Sequence, residues 1–82
     1  MPDDQSIRER IGDLVQEEHR LREQLARHEI TPNEEQARLR SVEVELDQCW
    51  DLLRQRAAMR EFGEDPESAE VRSPGVVERY RG

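Results

Sequence analysis

Three groups of side chains in this sequence have types that could do chemistry: two histidines, a cysteine next to a tryptophan, and a set of arginines. His19 stands beside Glu17 and Glu18, with Glu23 about one helical turn on. A metal centre needs more ligands converging on one face. The inward-facing Glu-x-x-His pairs of carboxylate-bridged di-metal bundles are missing. His28 fits better as a cation-tolerant residue near the C-terminal end of a helix dipole. Cys49 would need a base and an electropositive pocket to act as a nucleophile. It has Asp47 and Asp51 close by instead, and acidic neighbours raise a thiol pKa. The simpler reading of Cys49-Trp50 is a small core residue beside a large packing anchor. Trp50 is then the residue expected to dominate any interface. These groups lead to no expected catalytic residue, metal or cofactor.

The arginines are the stronger candidates, since all thirteen basic residues are Arg. Arg54, Arg56 and Arg60 form a local basic patch, and Arg8 and Arg10 fall at the matching end if the chain folds back on itself. Together they could bind a phosphate, a carboxylate metabolite or a nucleic-acid backbone. Glu9, Asp13, Asp51 and Glu61 are interleaved with them. A salt-bridged, solvated face is therefore favoured, and anion binding is the alternative. The net charge of −7 opposes general attraction to nucleic acid or to an anionic membrane. No apolar run is long enough to span a bilayer. Met1-Pro2-Asp3-Asp4 lacks the pattern of a signal peptide, and a lone cysteine suits a reducing compartment. The expectation is a soluble cytoplasmic protein.

Eighty-two residues allow one small domain. The chain is 33% apolar and 40% charged, between a globular composition and a disordered one, so pattern has to decide. The pattern is helical throughout most of the chain. Ile7, Ile11, Leu14, Leu21 and Leu25 alternate spacings of four and three with one polar gap at Glu18, a seam of period near 3.5. Val15 widens it, and Gly12 leaves room for a close neighbour. Ser6 with Glu9 reads as a capping box at its start. Thr31-Pro32-Asn33-Glu34 combines an N-cap, a proline at the first helical position and a second capping box. The sequence thus predicts a first helix over about 6–28, a turn at 29–31, and a second helix over about 32–62.

The second stripe is Leu39, Val42, Leu46, Cys49, Trp50, Leu53 and Ala57. Gly63 is a natural C-cap, and Pro66 blocks continuation. Glu18 with Arg22, Glu23 with Arg27, and Glu34 with Arg38 support the helices from the surface. Residues 1–62 are therefore read as an antiparallel two-helix hairpin, coiled-coil-like and all-α, and residues 63–82 as a mostly irregular tail. Asp65-Pro66 and Ser73-Pro74 could each start a short helical turn.

Pairing the seams places Leu21 near Leu39, Leu14 near Leu46, Ile11 near Cys49 and Trp50, and Ile7 near Leu53. The first helix would be roughly 33 Å long and the second roughly 46 Å. The longer arm then overhangs, leaving Ala57, Met59 and Phe62 without a helical partner in the chain. Either the tail covers them through Val71, Val76, Val77 or Tyr80, or a second copy does. Wide seams and a small core favour a homodimeric four-helix bundle. Trp50, Leu53, Ala57, Met59 and Phe62 are the expected interface.

Gln5-Ser6-Ile7 through Glu17-Glu18-His19-Arg20-Leu21-Arg22, the run Glu43 to Arg56 containing Leu46-Asp47-Gln48-Cys49-Trp50-Asp51-Leu52-Leu53-Arg54, and Pro74-Gly75-Val76-Val77-Glu78 together resemble a family of short actinobacterial proteins known only as a domain of unknown function. The resemblance spans essentially the whole chain. It implies a helical-hairpin protein of bacterial cytoplasm, and it implies no activity, substrate or cofactor. The functional expectation is a non-enzymatic, self-associating hairpin that binds or regulates another protein. Nucleic acid is a disfavoured partner, and no membrane is expected.

Overall fold

A computed structural model of the chain describes the backbone of residues 3–81 and the side chains of residues 3–77. Helix α1 runs Asp4–Ala26 and helix α2 runs Pro32–Glu61. A 3-10 turn follows at Pro66–Ser68, and a short helix α3 at Pro74–Arg81. α1 and α2 pack as an antiparallel hairpin, while the 3-10 turn and α3 both pack on α2. Among the described residues there is no strand.

The helix ends show why the chain turns where it does. The N-cap of α1 lies three residues earlier than the Ser6 capping box predicts. Asp3 is the N-cap, and its carboxylate accepts the Ser6 N–H at 2.8 Å. Asp caps a helix at least as well as Ser, because the carboxylate also meets the positive end of the dipole. Ser6 is left as a donor inside the first turn. At the other end His28 adopts φ 60, in the left-handed region. Its N–H reaches the Leu25 carbonyl, and the Glu29 N–H reaches the Gln24 carbonyl at 2.8 Å. That pair of bonds is a Schellman C-cap. The same arrangement closes α2, with Gly63 at φ 73 and Glu64 bonded to Met59 at 2.7 Å. Thr31 forms the expected capping box with Glu34 at the start of α2.

Packing follows the predicted register. Leu14, Leu21 and Val42 form one buried cluster, with Leu39, Leu46, Cys49 and Ile30 packed against it. Ile7, Ile11, Leu52, Leu53 and Ala69 form a second. Leu21 and Val77 are fully buried. The three predicted surface pairs are present, at 4.0 Å for Glu18–Arg22, 3.7 Å for Glu23–Arg27 and 3.9 Å for Glu34–Arg38.

Three placements differ from the sequence reading. Trp50 does not enter the seam beside Ile11; it is 48% exposed, and Leu52 fills the core instead. Gly12 has open space where a Cβ would stand, so no helix of this chain makes a close approach there. Met59 does not lack a partner, because it packs on the cluster that holds Ala69. Ala57 and Phe62 stay exposed. In the tail, Val71 and Val76 face solvent while Val77 is buried. The Tyr80 side chain lies outside the described residues.

Candidate functional site

The polar residues of α2 organise the end of the molecule opposite the hairpin turn. Arg56 is buried at 7% exposure. Its Nε donates to Asp4 Oδ1 at 2.5 Å, and its Nη1 donates to the Pro66 carbonyl at 3.1 Å. Glu67 approaches its Nη2 at 3.5 Å. One guanidinium therefore joins the first turn of α1, the body of α2 and the 3-10 turn. This use of five fixed donors is what distinguishes Arg from Lys. Arg60 completes the cluster with two hydrogen bonds to the Asp4 carboxylate, at 3.2 and 2.8 Å. The Arg60 and Arg56 guanidiniums hold the Asp4 carboxyl down at about 2. The bond to Asp4 raises the Arg56 pKa in turn.

A second polar stripe holds the rest of the tail. Gln48 donates to the Arg72 carbonyl at 3.1 Å, and Gln55 donates to the Glu70 carbonyl at 2.7 Å. Gln55 also donates to Asp51 at 2.9 Å, and Arg72 lies 3.5 Å from the same carboxylate. Gln48, Asp51 and Gln55 fall at helical spacing on one face of α2. Gln48 and Gln55 satisfy two carbonyls of the extended segment between the 3-10 turn and α3, and Asp51 holds the Gln55 and Arg72 side chains beside it. Sequence reasoning missed this face, because polar residues on a helix read as solvated. The available signal was a stripe of Gln and Asp, at spacings of three and four, opposite Leu39 and Trp50.

The five candidate arginines do not converge. Arg56 and Arg60 meet on Asp4, and Arg10 pairs with Glu45 across the hairpin. Arg54 is two residues from Arg56 on α2, so it projects from the far side of that helix. Arg8 is exposed on α1. The acids that neutralise the patch are Asp4, Glu45 and Glu67, not the Glu9, Asp13 and Glu61 singled out in the sequence.

The candidate interface residues divide into two sets. Leu53 lies in the core, and Met59 packs against it. Trp50, Ala57 and Phe62 remain on the surface, Phe62 at 76% exposure. A shallow hollow beside Trp50 is lined by Glu43, Leu46 and Asp47. Burial pushes the Cys49 thiol above its ordinary pKa, Glu45 adds to the effect and Arg10 opposes it. The direction matches the sequence reading, with burial as the main cause. No group of three or more metal-capable side chains gathers among the described residues. No described helix is long and apolar enough to cross a membrane.

Three relatives match along nearly the whole chain: uncharacterized proteins from Mycobacterium bovis and from two strains of Mycobacterium tuberculosis. Each is 53% identical over 81 residues, covering 99% of this chain and 93% of its own. No solved structure matches the chain. The family described as "Protein of unknown function (DUF2630)" matches residues 3–82, so its profile takes in the hairpin, the strap and α3 together. The chain belongs to the DUF2630 family of proteins of unknown function.

Proposed function

We propose that this protein is a non-enzymatic helical-hairpin module of the cytoplasm that self-associates as a homodimer and acts by binding another protein. One observation carries the reading. Several long polar side chains are engaged within the molecule, Arg56 and Arg60 on Asp4 and Gln48 and Gln55 on strap carbonyls, while Trp50 and Phe62 stand in solvent. An interaction surface shows that distribution, with aromatic anchors outside and charge compensated within. The core is also small. Of the side chains described, only Leu21 and Val77 are large and fully buried. Chains of this size commonly gain stability from association.

Light scattering after size exclusion tests the reading. At tens of micromolar the expected mass is twice the 9.7 kDa of the chain. A monomer mass combined with a sharp thermal transition contradicts it.

A further inference from the structure

We propose that the uncovered face of α2 centred on Trp50 is an isologous interface, on which α2 of a second copy lies antiparallel. This deepens the self-association reading and rests on it. α1 and the tail take two sides of α2. α1 packs along Val42, Cys49 and Leu53, and the strap along Gln48, Asp51 and Gln55. At 100° per residue, the remaining arc carries Glu43, Trp50, Arg54, Ala57 and Glu61.

Two features of that arc select a copy of itself as occupant. The first is charge. Glu43, Arg54, Arg40 and Glu61 make no ion pair among the described residues, with Arg40 at the arc's edge near the start of α2 and Glu61 on the arc at the end of α2. Laid antiparallel about an axis near Trp50, Glu43 of each copy comes within side-chain reach of Arg54 of the other, and Arg40 of Glu61. A parallel arrangement sets each charge against its like. The axis also brings the two indoles together, each over the hollow formed by Glu43, Leu46 and Asp47. The second feature is area. A compact monomer of 9.7 kDa exposes about 5,100 Å². This chain exposes 5938 Å² and measures 51 × 25 × 17 Å. The excess, roughly 800 Å², belongs to the whole elongated molecule and is as large as one partner's share of a standard protein interface.

The test uses the full chain. Trp50→Glu is expected to weaken the dimer at least about thirtyfold in sedimentation equilibrium, with helical circular dichroism unchanged. With Cys49→Ser as background, Trp50→Cys is expected to form a disulfide-linked dimer on mild oxidation, and Arg20→Cys, on the other side of the hairpin, is not. Should Trp50→Glu disturb folding, Glu43→Arg replaces it: it weakens the dimer, and adding Arg54→Glu restores it. If wild type is a dimer but Trp50→Cys fails to cross-link and both charge variants leave the mass unchanged, the interface lies elsewhere and this proposal falls while self-association stands. A monomeric wild type overturns both.

Discussion

Asp4 carries more of the structure than its place near the N-terminus suggests. Its carboxylate accepts from Arg56 and Arg60 and ties the start of α1 to the end of α2. Because its pKa is lowered to about 2 from 3.8, folding favours the charged form. The stabilising contribution is complete above the unfolded pKa and is lost as pH falls through the folded one. Urea midpoints should therefore decline between about pH 4 and pH 2 in wild type. In Asp4→Asn that component of the decline should be absent, and the midpoint should already be lower at neutral pH. An Asp4→Asn profile that keeps the full wild-type slope contradicts the assignment. His28 offers a test of opposite sign. It sits at φ 60, where a Cβ is strained and glycine is not. His28→Gly is expected to stabilise the protein by about 1 kcal/mol, read as a higher thermal midpoint. Gly12 is helical and has open space around a built Cβ. Gly12→Ala should add about 1 kcal/mol through helix propensity alone.

At the scale of elements, the hairpin was legible and the strap was not. Thr31-Pro32 marks the turn because proline and the capping box each independently forbid continuation of the first helix. The seams gave the register because period 3.5 survives every polar interruption, including Glu18. Trp50 was misread, and Leu52 left out of the stripe, for a common reason. A two-helix pattern allots one buried stripe to α2, yet α2 has two contact faces, one on α1 and one on the tail. The second face is built largely from Gln48, Asp51, Gln55 and Arg56, whose burial depends on partners distant in sequence. The extended strap has no period to read. Its anchors suggest a direct check by limited proteolysis. Gln48→Ala with Gln55→Ala should free the Glu70 and Arg72 carbonyls and speed cleavage between residues 64 and 73, while the hairpin itself persists. Equal cleavage rates would show that the apolar contacts of Ala69 and Val77 suffice. In the turn, Thr31→Ala should cost about 1 kcal/mol by leaving the Glu34 N–H without its cap.

For the whole molecule, the inequality of the two arms remains the main clue to function. The tail covers part of the overhang, through the Ala69 cluster on which Met59 packs and through the Arg56 cluster. It does not cover Trp50, Ala57 or Phe62. The chain thus completes a small core and leaves Trp50 and Phe62 outside it, on different sides of α2. The arginines, the most prominent feature of the sequence, bind the molecule to itself in three of five cases. The proposed self-association is tested most directly by sedimentation equilibrium across a dilution series. The account predicts a mass of two chains at tens of micromolar that falls toward one chain on dilution, with Trp50→Glu shifting that fall to higher concentration. A mass of one chain at every concentration, in a cooperatively folded protein, would contradict it.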